Sequence, residues 1–158
     1  MNGLTVIDGE RIRLMEELLH LSPAEKAFIE VSNLLATKPI NQITGRALLK
    51  PLQENQVGFE VARPRLRILY AHVLQHFVLD RNLTDQEMSE LDHLRDLLGL
   101  TQDDVDQVFT SVVHRTYEHL VLRSSEEDGP SGRLERLMKL SKSLKIPEDT
   151  AREVLSRL

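Results

Sequence analysis

Two histidines, His72 and His76, stand one helical turn apart and have the spacing of a two-imidazole metal site. Side chains four positions apart on a helix share a face, and a metal centre built on them needs at least one further ligand. The surrounding sequence identifies no such ligand, and both histidines fall beside or behind the apolar stripe of their helix. We therefore expect His72 and His76 to be surface histidines.

Residues 80–84 (DRNLT) begin like a calcium-binding loop, because aspartate and asparagine alternate there. Such a loop needs glycine at its sixth position and a bidentate glutamate at its twelfth. Asp85 and Leu91 occupy these two positions. We therefore do not expect calcium to bind here.

The other reactive residue types form no catalytic pattern. The chain has no cysteine, which excludes thiolate catalysis, disulfides and cysteine-ligated zinc. Four further histidines are scattered without a defensible Ser-His-acid grouping, and no glycine-rich phosphate loop is present. These four are His20, His93, His114 and His119. The sequence predicts a protein that is not an enzyme and has no cofactor.

Charge is divided unevenly along the chain. Residues 80–128 contain 13 Asp and Glu against four Arg, whereas the whole chain has a net charge of −5. A negative chain argues against nucleic-acid binding, which needs clustered Lys and Arg. The acidic region has two interpretations, a well-solvated surface or a face that binds a basic peptide.

Basic residues recur every third position between residues 133 and 145. This spacing makes them wrap around a helix instead of forming a flat patch, so we expect a solvated face; docking of an acidic partner or of lipid head groups is the alternative. The series comprises Arg133, Arg136, Lys139, Lys142 and Lys145.

The elements that carry these residues form a pattern that recurs with an offset of 46 residues. Each copy reads as a short amphipathic helix, a tight turn and a second amphipathic helix. Such a helix pair cannot bury its own apolar stripe and stacks on a neighbour. The matching positions are Met88, Leu91, Leu94, Leu98, Leu100, Val108, Phe109 and Val112, against Leu134, Leu137, Leu140, Leu144, Ile146, Val154, Leu155 and Leu158.

Capping signals and apolar periodicity place the individual helices. Capping boxes at residues 22–25, 84–87 and 101–104, together with Pro23 and Pro147, predict helix starts near residues 23, 85, 102 and 147. In the third box Asp104 replaces the usual Glu or Gln, which we expect to weaken the reciprocal hydrogen bond. The 3.6-residue period predicts helices at 8–20, 64–79 and 102–122, each with one apolar stripe. The predicted stripes comprise Ile12, Met15, Leu18 and Leu19 in the first helix, Leu66, Leu69, Tyr70, Val73, Leu74 and Phe77 in the second, and Val105, Val108, Phe109, Val112, Val113, Thr116, Tyr117 and Leu120 in the third.

The least regular parts are residues 39–63 and 124–132. The first is predicted to be a connector with a short helix at 42–50; residues 57–61 alternate like a strand but have no partner run. The second is predicted to be a polar turn between repeats. The predicted fold is all-α, an elongated HEAT-like stack of about seven to eight helices, with N-terminal helices and connector at 1–62 and tandem repeats at 63–158.

Residues 82–101 (NLTDQEMSELDHLRDLLGLT), followed by a helix that ends in residues 114–121 (HRTYEHLV), carry a family resemblance. This stretch resembles a repeat unit of the large inner-envelope subunit of the chloroplast protein import translocon, the Tic complex. Residues 65–70 (RLRILY) resemble the helix that leads into such a unit. The similarity is greatest over 63–122, continues through 158 and is least before 63.

The resemblance implies a non-enzymatic scaffold on the stromal side of the plastid inner envelope membrane. In that family, all-helical HEAT-like repeats are thought to receive transit peptides of preproteins and to gather stromal chaperones and other translocon subunits. Membrane attachment would occur only through parts absent from this chain. The thiol regulation proposed for plant relatives is not carried over, because the chain has no cysteine.

A weaker similarity connects the same pattern to tellurite-resistance B-like helical domains of bacteria. It implies a stress-response domain in which acidic side chains bind a divalent metal. The sequence leaves this alternative open, and it does not identify the partner, the binding surface or the oligomeric state.

Overall fold

A computed structural model describes residues 3–79, 84–122, 130–143 and 146–157. Within these ranges the chain forms eight α-helices, one 3₁₀ turn at Ile40–Gln42 and no strand, so the predicted all-α fold is confirmed. The helices are α1 (Gly9–Leu19), α2 (Pro23–Thr37), α3 (Gly45–Glu54), α4 (Phe59–Leu79), α5 (Asp85–Leu97), α6 (Gln102–Leu122), α7 (Pro130–Ser143) and α8 (Glu148–Ser156).

Local capping explains where three of these helices begin. Ser22 accepts a hydrogen bond from the Glu25 amide while the Glu25 carboxylate accepts one from the Ser22 amide. Thr84 and Glu87 repeat this exchange at the start of α5, and Thr101 and Asp104 repeat it at the start of α6. Each box satisfies amides that the first helical turn leaves without an intrahelical acceptor. The predicted starts at 23, 85 and 102 are therefore confirmed.

The packed centre of the molecule lies where α4 meets α5 and α6. The predicted stripe of α4 is buried except for the half-buried Leu69, and the first half of the predicted α6 stripe is buried too. The side chains of Val113, Thr116, Tyr117 and Leu120 lie outside the described residues. The buried positions are Leu66, Tyr70, Val73, Leu74 and Phe77 on α4, and Val105, Val108, Phe109 and Val112 on α6.

Helices α5 and α6, and then α7 and α8, form two consecutive helix-turn-helix units. In the first unit Leu91, Leu94 and Leu98 are buried, and in the second Ile146 and Val154 are buried. Helix α7 packs on α8 and on α6. The equivalence of the two units as copies of one repeat stays a prediction.

Helix α4 begins at Phe59 and not at the predicted Pro64. A proline inside a helix removes one backbone donor and crowds the preceding turn, which normally favours a start at the proline. Here the additional turn is stabilised by tertiary contacts: Ala62 is fully buried, and the ring of Phe59 lies against Gly99. Residues 59–61 are thus helical, not strand-like.

Other boundaries differ from the prediction by smaller amounts. The connector helix is α3 at Gly45–Glu54, not 42–50, because Thr44 caps it by accepting from the Ala47 amide. Pro147 is the N-cap of α8 and not its first residue. Helix α7 begins at Pro130, inside the predicted polar turn 124–132, of which residues 124–129 lie outside the described residues.

Helix α1 differs from its prediction in packing, although its bounds agree. Asp8 caps it, and His20 ends it in the left-handed conformation. None of its residues is buried, and Leu18 and Leu19, two members of the predicted apolar stripe, are 69% and 66% exposed. An ion pair of 2.9 Å joins Glu16 to Lys26 of α2. Helix α1 therefore contributes little to the core.

Candidate functional site

One carboxylate of the acidic region, that of Asp104, is buried and forms an ion pair inside the protein. Asp104 is 3% exposed and accepts hydrogen bonds from Nε and Nη2 of Arg63 at 3.1 and 2.9 Å. Arg67 lies 3.6 Å from the other carboxylate oxygen. The Thr101 amide donates to Asp104 at 2.9 Å, so the reciprocal capping bond expected to be weak is formed. Asp104 thus joins the start of α6 to α4.

Arg63 and Thr101 keep Asp104 ionised. Burial alone raises the pKa of Asp104, but hydrogen bonds from Arg63 and Thr101 and the charge of Arg63 outweigh it and leave this pKa below its ordinary value. A buried carboxylate in such an ion pair has a structural role and is not available to a ligand. Asp104 is therefore removed from the acidic face that the sequence suggested.

A groove of about 430 Å³ lies between the end of α2, the 3₁₀ turn, the end of α4 and the start of α5. Buried side chains of Leu35, Ile40 and Phe77 form its apolar floor. We call it the acidic-rimmed groove. It is lined by Leu35, Ala36, Thr37, Lys38, Pro39, Ile40, Phe77, Thr84, Gln86, Glu87 and Glu90.

Two carboxylates of α5 determine the charge of the rim. Glu87 Oε2 accepts from the Thr84 backbone N–H, and Glu90 Oε1 accepts from the Gln86 side-chain Nε2 at 3.2 Å, so both are held in place. The C-terminal end of α2 also borders the groove, and a helix C-terminus carries a partial negative charge. Lys38 supplies one opposing positive charge. This combination favours a ligand with an apolar stem and a cationic end, such as Lys or Arg.

Five of the remaining acidic residues of the region lie on α5 and the first turns of α6. Asp85, Asp96 and Asp103 are exposed, and Asp92 and Asp106 are half-buried. Arg95 partly neutralises Asp96 at 3.5 Å. Residues 80–83 and 123–129 and the side chain of Glu118 lie outside the described residues.

The two histidines with metal-like spacing contact the N-terminal segment. His72 is exposed, and its Nε2–H donates to the Gly3 carbonyl at 2.8 Å. The His76 ring lies directly against Gly3. Among the described residues no group of three potential metal ligands occurs. The expected surface position is thus observed for His72, whereas the contacts with Gly3 were not predicted.

The other predicted candidates are only partly described. Residues 80–83 of the calcium-like loop lie outside the described residues, and Leu91, at its twelfth position, is fully buried in the core. Two members of the basic series, Lys139 and Lys142, are exposed. The side chains of Arg133 and Arg136, and the whole of Lys145, lie outside the described residues. His93 donates to the Ile43 carbonyl at 3.1 Å, which is a structural role.

Sequence reasoning missed the groove because its lining comes from four separate segments. The signal that was available is the pair of carboxylates Glu87 and Glu90 near the start of one helix, together with the apolar pair Leu34 and Leu35 in the last turn of another. Only the folded chain brings these segments together.

Comparison with known proteins gives no relative for this chain: no protein-family model, no curated protein and no solved structure matches it. None of the described helices combines the length and apolar character needed to cross a membrane.

Proposed function

We propose that this chain is a non-enzymatic protein-interaction scaffold that binds basic, presequence-like segments. The acidic-rimmed groove is the observation that carries the proposal, because its apolar floor and its two fixed carboxylates complement a side chain with an apolar stem and a positive end. The groove is open to solvent between the ends of α2 and α4 and the start of α5, so a peptide can reach it without displacing the core.

The family resemblance supplies the proposed biological setting. Within it, the chain acts on the stromal side of the plastid inner envelope membrane in protein import, with transit peptides, stromal chaperones and other translocon subunits as partners. Transit peptides are rich in basic and poor in acidic residues, which fits a groove whose rim is negative. The support is therefore the resemblance of residues 63–122 together with the chemistry of the groove.

Titration with a fluorescently labelled basic presequence at rising salt tests this function. Attraction between surface charges weakens as the Debye length falls, so we expect the affinity to decrease steadily between about 0.05 M and about 0.3 M salt. Binding that does not change with salt, or no binding at low salt, would overturn the electrostatic mechanism.

The alternative is a tellurite-resistance B-like domain that binds a divalent metal through acidic residues. Nothing in the described parts of the chain supports it, because the acidic side chains there form no group of three potential ligands. Calorimetry with calcium, magnesium and zinc distinguishes the two functions, since only the metal-binding domain gives a heat of binding.

A further inference from the structure

Residues 3–8, which we call the N-terminal arm, lie on α2 and α4 before α1 begins. Asn33 of α2 holds the arm through both polar atoms of its side chain: Oδ1 accepts from the Ile7 amide at 2.8 Å, and Nδ2 donates to the Ile7 carbonyl at 2.7 Å. A neighbouring antiparallel strand would form the same pair of hydrogen bonds with one residue. This pair recognises extended backbone and not a particular side chain.

The other end of the arm is recognised by shape. His72 donates to the Gly3 carbonyl at 2.8 Å, and Gly3 adopts a φ of +76°, which favours glycine. A Cβ added to Gly3 would lie 2.8 Å from the His76 ring, so a side chain does not fit there. Next to it, Leu4 packs against the core as a half-buried anchor.

The arm is connected to the fold by few other contacts. Helix α1, which follows it, buries none of its residues, and its ion pair with Lys26 joins two partly exposed side chains. Exposed ion pairs contribute little to stability, because water screens both charges. Among the contacts that the structure describes, those that hold residues 3–19 are therefore mainly the contacts of the arm with Asn33, His72, His76 and the core.

We propose that the surface formed by Asn33, His72 and His76 is an extended-peptide-binding site, which the chain's own arm occupies as a ligand in cis. We call it the arm site. The ligand in trans is an uncharged extended segment of five residues. Its first residue is glycine, its second is apolar, and its fifth is any residue other than proline. Residues 3–7 (GLTVI) carry this pattern and no charge.

The arm site differs from the acidic-rimmed groove in the chemistry that it recognises. Backbone hydrogen bonds and one apolar anchor do not depend on salt, whereas binding at the carboxylate rim does. The inference thus goes beyond the proposed function, and a chain with both sites would contact one stretch of a partner through charge and another through extended backbone.

In the full chain, replacement of Ile7 by proline weakens binding of the arm, because proline has no amide N–H to donate to Asn33 Oδ1. The arm site then becomes accessible to a peptide. The probe is a fluorescent nonapeptide with the sequence of residues 1–9, MNGLTVIDG. A tethered arm competes at an effective concentration in the millimolar range, so we expect the peptide to bind Ile7→Pro at least about tenfold more tightly than it binds the unaltered chain.

Three controls accompany this measurement. The double variant Ile7→Pro, Asn33→Ala should lose the gained affinity, and so should a peptide with alanine in place of its glycine. The variant Gly3→Ala, in which the added side chain meets the His76 ring while the arm site itself is unaltered, should also gain affinity for the original peptide. Thermal melting of each variant verifies that the fold is retained.

The inference is overturned if neither Ile7→Pro nor Gly3→Ala gains affinity for the peptide. It is also overturned if the unaltered chain dimerises with concentration while the peptide fails to bind, because the arm is then exchanged between copies. Affinity for the nonapeptide should stay constant across the salt range in which the basic presequence dissociates. Failure of one site is therefore distinguishable from failure of the other.

Discussion

At the scale of single residues, Asp104 shows how a capping signal acquires a second role through folding. The sequence predicts the exchange with Thr101 because both partners lie within three residues of each other. It does not predict Arg63, which is 41 residues away and half-exposed on a different helix. The ion pair depends on how α4 and α6 cross, and that is decided by their apolar faces.

Replacement of Asp104 by asparagine should lower the free energy of unfolding by about 2 kcal/mol at neutral pH, because Arg63 loses its charged partner. The pKa of Asp104 is lowered in the folded protein, so its ionised form stabilises the fold above the unfolded pKa of about 3.9, and this stabilisation is lost as pH falls through the folded value. Urea titrations across pH measure this difference.

The matched control is Asp103→Asn, which removes an exposed carboxylate from the same turn of α6. We expect this variant to change the free energy of unfolding by less than about 0.5 kcal/mol. If the two variants were equally stable at neutral pH, or if the deficit of Asp104→Asn persisted unchanged in acid, the structural ion pair would not exist.

At the scale of elements, helix starts were predictable and helix packing was only partly so. The starts of α2, α5 and α6 follow from caps whose partners are near in sequence. The start of α4 at Phe59 was not predictable, because the contact of Phe59 with Gly99 overrides the signal of Pro64. The apolar residues of α1 were predicted to face a core, but periodicity alone does not show whether a neighbour covers them.

The turn between α5 and α6 depends on Gly99. Its φ of +63° lies in the left-handed region, and an added Cβ would be 3.1 Å from the Phe59 ring. Gly99→Ala should therefore lower the free energy of unfolding by about 1 to 2 kcal/mol through backbone strain and displacement of Phe59.

Gly45→Ala is the matched control for this turn, because no heavy atom lies within 4 Å of the added Cβ and the residue begins α3. Alanine there should leave stability unchanged or raise it by a few tenths of a kcal/mol, at about the scale of helix propensity. Parallel thermal melts compare the two variants. Equal stabilities would show that the turn does not require glycine.

At the scale of the whole molecule, the all-α class followed from composition and periodicity, whereas the elongated stack stays a prediction. The groove could not be predicted, because it exists only where α2, α4 and α5 meet.

Small-angle scattering tests the predicted shape. A compact globule of this length has a radius of gyration of about 15 Å, and an elongated stack of helix pairs should exceed that value clearly. A radius of gyration at or below about 15 Å would contradict the elongated form of the fold without affecting the all-α class.

The acidic-rimmed groove is most directly tested by the affinity of one labelled basic presequence for two charge reversals. Glu90→Lys changes the rim of the groove, and Glu135→Lys makes the same change in net charge at an exposed position of α7. At low salt, Glu90→Lys should weaken binding by about fivefold, or on the order of 1 kcal/mol, while Glu135→Lys should stay close to the unaltered chain. Equal losses in the two variants, or no loss in Glu90→Lys, would contradict binding at the groove.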